Sequence, residues 1–245
     1  MANKEKGNPR KGATPRVTRP KSLRLEDLNF YEPITPQQEA VWEEYQSNQN
    51  LLLSGSAGTG KTFMSMYLGL TDVLDKGSMY DKLIICRSAV PTRDMGFLPG
   101  TAEEKEDAYT LPYKGICTEF FEKKEAWDML RESDQIEFLT TSYIRGVTLD
   151  NCIVVVDECQ NLTFHELDSV ITRMGNNTKI IFSGDYNQSD FKGNNDKKGI
   201  QDFTKIVKHL RQFTMIEFGW QDIVRSGLVR DYIMTKECVE KGDLN

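Results

Sequence analysis

The stretch Gly55-Ser56-Ala57-Gly58-Thr59-Gly60-Lys61-Thr62 decides how this chain folds, because it matches the pattern G-x-x-x-x-G-K-[ST] at every position. Apolar Leu51-Leu52-Leu53 precedes it as a short buried strand would, and a largely apolar pattern over residues 63–70 follows, as is typical of a packed helix. Glycines let such a loop wrap closely around phosphate groups, with backbone N–H groups pointing inward at the start of the helix. The stretch therefore predicts a phosphate-binding loop that holds a nucleoside triphosphate.

Two side chains at the end of this loop are expected to contact the phosphates and the metal ion. Lys61 is expected to reach the β- and γ-phosphates, and the Thr62 hydroxyl is expected to hold Mg²⁺. The preceding positions are predicted to bind phosphate mainly through the backbone: Gly55, Ser56, Ala57, Gly58, Thr59 and Gly60. The alternative is a glycine-rich turn that matches the pattern by chance, which would not explain the flanking strand and helix.

A second signal is the pair of carboxylates that follows the apolar run Ile153-Val154-Val155-Val156. Asp157 and Glu158 emerge where this predicted strand ends, and ligands of open α/β sheets bind at that end. Asp157 is predicted to bind Mg²⁺ opposite Thr62, and Glu158 to polarise a water for attack on the γ-phosphate. Alone, two acids after a strand are a common solvated turn; downstream of a phosphate loop they indicate catalysis.

A third strand, Ile180-Ile181-Phe182, ends in a polar segment that contains Asp185 and Gln188. If this strand lies between the other two, both side chains are expected beside the γ-phosphate, where Gln188 could sense its presence. The run Cys159-Gln160-Asn161, directly after the two acids, places another amide nearby. The alternative interpretation of the third segment is a polar β-turn.

The apolar runs along the chain predict the fold class. Short continuous strands alternate with helical patterns or long polar connections, which favours an α/β fold with a parallel sheet covered by helices on both faces. The predicted strands are Leu51–Leu53, Leu83–Cys86, Ile136–Leu139, Ile153–Val156, Lys179–Phe182 and Met215–Phe218. A helix is expected to start at Thr35-Pro36-Gln37-Gln38, with Thr35 as its cap.

Charge divides the chain into two predicted parts. Residues 1–24 hold eight basic residues and one acidic residue, a net charge of +7, whereas the whole chain carries −6. They also contain three prolines and few apolar side chains, so we expect a disordered basic tail before a single domain over residues 25–245. Such a tail could bind nucleic acid, dock on an acidic neighbouring subunit or act as a solubilising segment.

Residues 91–131 form a predicted inserted loop and helical segment, with helices around 102–108 and 113–130.

Composition excludes several classes of protein. Hydrophobic residues make up 38% and charged residues 28%, which is typical of a globular protein, and no apolar run is long enough to span a bilayer. The five cysteines show no C-x-x-C pair, and only two histidines are present. We therefore expect reduced thiols, a cytoplasmic location and no membrane association.

With these motifs in place, the chain resembles the PhoH-like, phosphate-starvation-inducible P-loop ATPases, which are related to superfamily 1 helicases. The resemblance covers about residues 35–233. Besides the motifs above it rests on Arg87-Ser88-Ala89-Val90, Gly96-Phe97-Leu98-Pro99-Gly100, Tyr143-Ile144-Arg145-Gly146, Ile171-Thr172-Arg173-Met174-Gly175, Gly184-Asp185-Tyr186-Asn187-Gln188-Ser189-Asp190 and Asp222-Ile223-Val224-Arg225. The departures are Ser88, where the family usually has proline, and Cys159, where it usually has alanine.

The resemblance implies a RecA-like P-loop NTPase fold and assigns further roles. Gln38 would hydrogen-bond the adenine edge, which would favour ATP, and Phe30 or Tyr31 would stack on the base or simply pack. Arg225 would contact the γ-phosphate, with Arg145 or Arg173 as alternatives. Hydrolysis would be coupled to RNA or single-stranded DNA.

The resemblance also bears on assembly. Related helicases place ATP between two similar domains, whereas residues 25–245 are expected to supply only one. A neighbouring subunit would then complete the site, which predicts a closed homo-oligomeric ring, with six subunits implied by the family.

Two other functions share the phosphate loop. A small-molecule kinase would need an acceptor pocket shielded from water, against which Glu158 argues. A non-hydrolysing, nucleotide-switched binding protein would not need the acidic groups that are present here.

Overall fold

A computed structural model describes residues 22–88, 102–185 and 194–243 of the protein. Gln188, the Gly96–Gly100 block and most of the basic segment lie outside these ranges. The strands are β1 (Asn50–Gly55), β2 (Lys82–Arg87), β3 (Ile136–Thr140), β4 (Cys152–Val156), β5 (Thr178–Ser183) and β6 (Phe213–Phe218). The α-helices among the described residues are α1 (Pro36–Gln46), α2 (Lys61–Leu74), α3 (Ala102–Phe121), α4 (Ala126–Glu132), α5 (Phe164–Ile171), α6 (Asn194–Val207) and α7 (Gly227–Lys241).

The six strands form one parallel sheet in the order β3-β2-β4-β5-β1-β6. Each predicted strand is present, and β5 lies between β4 and β1, as the placement of Asp185 requires. Parallel strands align their carboxyl ends at one edge, so the segments that follow β1, β4 and β5 meet there. The predicted fold class is confirmed.

Helices cover both faces of the sheet, because alternate side chains of a strand point to opposite sides. Leu51 and Leu53 belong to one buried cluster, which also holds side chains of α1 to α4. Leu52 belongs to the other cluster, which holds side chains of α5 and α6. The continuous apolar runs of the sequence therefore reflect strands that are buried on two faces.

Helix α1 begins as predicted. The Thr35 side-chain oxygen accepts a hydrogen bond from the backbone N–H of Gln38, and Pro36 occupies the first helical position. Leu23 is 2% exposed and packs in the core, two residues before the predicted start of ordered structure. Its apolar side chain is covered by the α1–α4 layer, a contact that composition alone does not indicate.

The inserted segment differs from its prediction. The sequence predicts separate helices around residues 102–108 and 113–130, but α3 continues through Pro112, and the chain leaves the helix at Glu122, where φ is +51°. Proline inside a helix costs about 3 kcal/mol. Packing offsets this cost, since Tyr109 and Tyr113 on either side of Pro112 are both buried and both contact the ring of Phe138.

A buried polar cluster lies at the opposite edge of the sheet, at the amino end of β5. Lys179 is 4% exposed, donates to the Tyr45 backbone carbonyl at 2.9 Å and lies 3.8 Å from the centre of the Tyr45 ring. The Tyr45 hydroxyl donates to Asp72 at 2.8 Å. We call Lys179, Tyr45 and Asp72 the amino-end cluster.

The cysteines and the helix lengths can be compared with the expected reduced thiols and the expected lack of a membrane span. All five cysteines are free thiols and four are buried, and burial raises the pKa of Cys117 to about 12 and that of Cys152 to about 11. Across the described residues, we find no helix with the length and apolarity required for a bilayer span.

Candidate nucleotide-binding site

The phosphate loop connects β1 to α2 in a conformation that requires its glycines. Gly55, Gly58 and Gly60 have φ values of +116°, +71° and +85°, in the left-handed region that side chains disfavour. A Cβ on Gly55 would collide with the Phe218 carbonyl of β6, and one on Gly58 would lie 2.7 Å from Cγ of Arg225. The chain therefore turns sharply into the start of α2, with neighbouring segments packed directly against the loop.

An open cavity of about 880 Å³ lies over this loop. The predicted residues Gln38, Asp157, Glu158, Asp185 and Arg225 line it together with loop residues 57–62. One face of α3 forms another wall, with Pro112, Gly115, Ile116 and Glu119. The structure thus brings the described predicted residues to one site, whereas Gln188 lies outside the described residues.

Lys61 is buried at the base of the cavity. Its ammonium donates to the carbonyls of Gly55 and Ser56, both at 2.8 Å, and to the Thr59 hydroxyl at 3.3 Å. Burial lowers the pKa of Lys61, while the nearby carboxylates of Asp185 and Glu158 oppose this shift. The lysine is therefore held within the loop itself, at the position from which phosphates would be reached.

Thr62 and Asp157 meet as predicted for a magnesium site. The Thr62 hydroxyl donates to Oδ1 of Asp157 at 2.7 Å, which joins the start of α2 to the end of β4. The second oxygen, Oδ2, accepts a hydrogen bond from the Tyr113 hydroxyl at 2.9 Å. Sequence reasoning missed Tyr113, because it belongs to no motif and reaches the site only through the packing of α3.

Glu158 is held by the end of the neighbouring strand. Its carboxylate accepts a hydrogen bond from the Gln160 side-chain N–H at 2.5 Å. The side-chain oxygen of Gln160, Oε1, accepts a hydrogen bond from the Asp185 backbone N–H at 3.0 Å. Gln160 therefore links the carboxyl ends of β4 and β5. Glu158 itself has φ of +51°, a strained conformation for a residue with a side chain, and such strain often occurs at functional sites.

The electrostatic environment of Glu158 is that of a partly buried base. Burial first, and then the charge of Asp157, raise the pKa of Glu158, while Gln160, Arg87 and Lys61 act in the opposite direction. Arg87 lies at the end of β2 and lines the cavity. The sequence indicates Arg87 only as part of a family block, whereas the structure places it in the cavity that the acidic pair also lines.

Gln38 contacts the phosphate loop directly. It is 4% exposed, its side-chain amide donates to the Thr59 carbonyl at 3.0 Å, and its side-chain oxygen accepts from the Ile34 N–H at 3.0 Å. A glutamine amide has two donors and two acceptor positions, so one of each is unused by these bonds. Gln38 thus fixes the loop and also lines the cavity.

The arginines differ in position. Arg225 lines the cavity and is exposed, and the Val224 N–H beside it donates to the Gly58 carbonyl at 3.0 Å. Arg145 and Arg173, both in the described part of the chain, do not line this cavity. Arg225 is therefore the only one of these three arginines at the cavity.

The two aromatic candidates for base stacking also differ. Tyr31 lines the cavity, but its ring packs edge-on against Phe63 and Tyr67, and its hydroxyl donates to the Glu119 carbonyl. Phe30 is 74% exposed. The contacts of Tyr31 match the packing interpretation.

The donor set fits a metal that is shared with phosphate. Within residues 22–88, 102–185 and 194–243, no group of three or more His, Cys, Asp or Glu side chains could hold an ion. Mg²⁺ in nucleotide sites is bound through one or two protein oxygens plus phosphate oxygens and water. The adjacent oxygens of Thr62 and Asp157 are a donor set of this kind.

Comparison with known proteins identifies relatives. The family profile described as PhoH-like protein matches residues 31–236. A PhoH-like protein of Synechocystis is 36% identical over 187 residues, which cover 76% of this chain and 56% of that protein. Protein PhoH of Escherichia coli is 30% identical over 185 residues, 75% of this chain and 51% of that protein. The chain thus spans about half the length of these curated relatives.

Solved structures with a similar arrangement include helicases. The Hef helicase domain of Pyrococcus furiosus matches 80% of this chain and 39% of its own, with a TM-score of 0.46 and 12% identity. Pif1 helicase from Bacteroides, in complex with ADP-AlF3 and single-stranded DNA, matches 77% of this chain and 42% of its own, with a TM-score of 0.37 and 12% identity.

The profile match extends from the segment before α1 into α7, and the residues it spans include the phosphate loop, the acidic pair after β4 and the Asp185 turn. The chain belongs to the PhoH-like protein family.

Proposed function

We propose that the protein is a Mg²⁺-dependent ATPase whose hydrolysis is coupled to RNA or single-stranded DNA. One observation carries this proposal. The Thr62 hydroxyl contacts Asp157 at 2.7 Å, and Glu158 and Asp185 line the same cavity above the phosphate loop. A metal-binding pair, a candidate base and a phosphate loop at one edge of a sheet are the parts that triphosphate hydrolysis needs.

Lys61 and the loop backbone bind the triphosphate. The lysine ammonium leaves the Gly55 and Ser56 carbonyls for phosphate oxygens, which are stronger acceptors because they carry charge. N–H groups at the start of α2 add a favourable field for the anion. These contacts orient the γ-phosphate toward Glu158 and Asp185.

Thr62 and Asp157 hold the metal. When bound, Mg²⁺ neutralises charge on the phosphate oxygens and orients the triphosphate. Two oxygens that already touch each other across α2 and β4 need little rearrangement to share an ion. This arrangement supports Mg²⁺ as the cofactor of the proposed reaction.

Glu158 acts as the base that takes a proton from the attacking water. Its raised pKa makes it a better proton acceptor than an exposed glutamate, and the Gln160 amide fixes its direction. In this proposal Gln188 senses the γ-phosphate. The backbone N–H of Asp185 donates a hydrogen bond to the Gln160 side chain, which in turn contacts Glu158. A γ-phosphate bound beside the end of β5 can therefore affect the position of Glu158.

Gln38 selects the base of the nucleotide. Its unused amide N–H and unused lone pair match the N7 acceptor and N6 donor of adenine, which favours ATP over GTP. Because the same amide contacts Thr59, adenine binding would also stabilise the phosphate loop.

Nucleic acid is the proposed macromolecular partner. The family relationship to helicases and the excess of seven positive charges in residues 1–24 support it. Free thiols that need a reducing environment support a cytoplasmic location.

A second copy of the chain is proposed to complete the site, in a ring of six subunits. Helix α7 begins two residues after Arg225 and exposes 82% of Leu228 and 67% of Tyr232. These apolar side chains lie exposed on the helix that follows Arg225, and Arg145 and Arg173 do not line the cavity of their own chain. A ring would cover α7 and bring an arginine of one subunit to the phosphates of the next.

The catalytic proposal is tested by phosphate release from ATP with no added acceptor. Glu158→Gln should reduce kcat by at least about 100-fold while nucleotide binding survives. The neighbouring Glu166→Gln, a carboxylate outside the cavity, is the matched control and should stay within a few-fold of the wild type. Full turnover by Glu158→Gln would exclude it as the base, and ADP formation only with an added acceptor would indicate a kinase.

The partner and the ring have their own tests. ATPase rates with RNA, single-stranded DNA and duplex identify the polymer that stimulates hydrolysis. Rates at two salt concentrations then report the number of neutralised phosphates, at about 0.7 in the salt slope per phosphate of a single strand and about 0.9 for a duplex. Removal of residues 1–21 should lower that slope.

The ring is tested by dilution. Specific activity should fall over the concentration range in which sedimentation shows that the oligomer dissociates, and full activity of a monomer would contradict the ring.

A further inference from the structure

Tyr113 contacts the proposed magnesium ligand from a helix outside every nucleotide motif. Its hydroxyl donates to Oδ2 of Asp157 at 2.9 Å, while the Thr62 hydroxyl donates to Oδ1 at 2.7 Å. Two hydroxyl donors, one on each oxygen, fix the plane of the carboxylate. Both Tyr113 and Asp157 are buried, at 1% and 5% exposure, so water competes little for this bond.

The Tyr113 ring is held firmly enough to position another group. It stacks near Trp127 of α4, with centroids 6.4 Å apart, and near Phe138 of β3 at 6.1 Å. Buried aromatic rings packed on two sides have few alternative rotamers. The direction of the hydroxyl is therefore set by the core and does not depend on a ligand.

The same helix also forms a wall of the cavity. Pro112, Gly115, Ile116 and Glu119 lie on the face of α3 that lines it. A Cβ added to Gly115 would have no atom within 4 Å, so this part of the wall leaves open space. Helix α3 thus faces the proposed nucleotide and holds Asp157 at once.

We propose that Tyr113 is a positioning residue that holds Asp157 in the orientation for metal binding and so ties the metal site to the inserted helix. The inference rests on the proposed function, since it concerns the Mg²⁺ of the same site. Tyr113 acts through Asp157 and does not itself contact the phosphates or the metal. Its loss should weaken the contribution of Mg²⁺ to nucleotide binding and leave metal-free binding unchanged.

The test uses Tyr113→Phe, which removes the hydroxyl and keeps the ring. Binding of a fluorescent ATP analogue is titrated with Mg²⁺ and, separately, in excess chelator. We expect the Mg²⁺ concentration at half-saturation to rise by about tenfold, the loss expected for one hydrogen bond to a charged acceptor. The Kd in chelator should be unchanged.

Tyr109→Phe is the matched control. Tyr109 lies one turn earlier on α3 and also contacts the Phe138 ring, but its hydroxyl makes no hydrogen bond with any described residue. Its Mg²⁺ dependence should equal that of the wild type. Thermal unfolding of all three proteins shows whether the fold is retained.

The outcomes separate the inference from the proposed function. If Mg²⁺ does not strengthen nucleotide binding by the wild type, the proposed metal site is wrong. If it does, but Tyr113→Phe has the wild-type dependence, only the role of Tyr113 is wrong. Equal weakening in the presence and absence of Mg²⁺ would also overturn it, because that result indicates a general structural role.

Discussion

The two ends of the sheet each bury a lysine, and the two lysines differ in what surrounds them. Lys61 at the carboxyl end is 8% exposed and Lys179 at the amino end is 4% exposed. Burial lowers the pKa of both, and both donate to backbone carbonyls. Lys61, however, borders an open cavity with three nearby carboxylates, whereas Lys179 is covered by the Tyr45 ring.

This difference shows that burial of a charge does not by itself indicate function. The contacts of the Lys179 ammonium come from the fold itself, since Tyr45 supplies both a carbonyl acceptor and an aromatic face. Lys61 is bonded to carbonyls of a loop that lies against empty space, so a ligand can replace those partners. The comparison predicts that one lysine supports activity and the other supports stability.

The largest expected effect is the loss of activity in Lys61→Ala. Removal of the ammonium should lower kcat/KM for ATP by at least about 100-fold, comparable with the loss of a preorganised donor in other sites. The unfolding midpoint should change little, because the loop carbonyls can bond water from the cavity. Steady-state phosphate release and thermal melting measure the two effects, and a large drop in stability would break the comparison.

Lys179→Ala should show the opposite pattern. It leaves the Tyr45 carbonyl without its donor and opens a cavity beside the ring, which should cost about 2–4 kcal/mol of unfolding free energy. Urea denaturation measures this loss. The control Lys179→Met retains the volume of the stem and should lose less. Nucleotide affinity of the folded variants should equal that of the wild type; a selective loss of affinity would contradict the structural role.

The smallest expected effect concerns Glu166, a carboxylate near the carboxyl ends of the strands that does not line the cavity. Glu166 accepts hydrogen bonds from Thr141 at 2.6 Å, from the hydroxyl and N–H of Thr163 at 2.9 Å and from Ser88 at 3.3 Å. Burial raises the pKa of Glu166, but these hydrogen bonds outweigh burial and lower it. Its folded-state pKa thus lies below the ordinary value of about 4.3.

A lowered pKa means that Glu166 stabilises the fold above its unfolded pKa and ceases to do so as the pH falls through its folded pKa. Glu166→Gln should therefore lose about 1 kcal/mol of unfolding free energy at neutral pH, and the deficit should shrink as the pH falls through the folded-state pKa of Glu166. Exposed Glu43→Gln on α1 is the control and should show no such trend. A deficit independent of pH would show that the charge of Glu166 has no role.

Much of the site could be predicted because its chemistry is local in sequence. Phosphate binding by backbone N–H groups needs glycines at fixed spacing, and an acid after an apolar strand must emerge at the ligand-binding edge. The strand runs were recognisable because each is buried on two faces. Asp185 lines the cavity because β5 lies between β4 and β1.

The misses have a common cause, which is packing between distant segments. The inserted segment was predicted as separate helices around residues 102–108 and 113–130, but buried Tyr109 and Tyr113, on either side of Pro112, keep α3 continuous there. Tyr113 reaches Asp157 across 44 residues, and Arg87 joins the cavity from β2. The contacts of Tyr109 and Tyr113 have no periodicity or motif that a single sequence displays, and the family block that contains Arg87 does not indicate which residues this arginine faces.

The phosphate loop, the strands and the acids at their ends can be recognised in the sequence alone, because they depend on backbone conformation and burial within a few residues. The folded structure was needed to show which buried lysine borders open space, that α3 forms a wall of the cavity, and that Tyr113 donates a hydrogen bond to Asp157. Those features depend on the order of strands in the sheet and on side chains that meet from far apart in the chain.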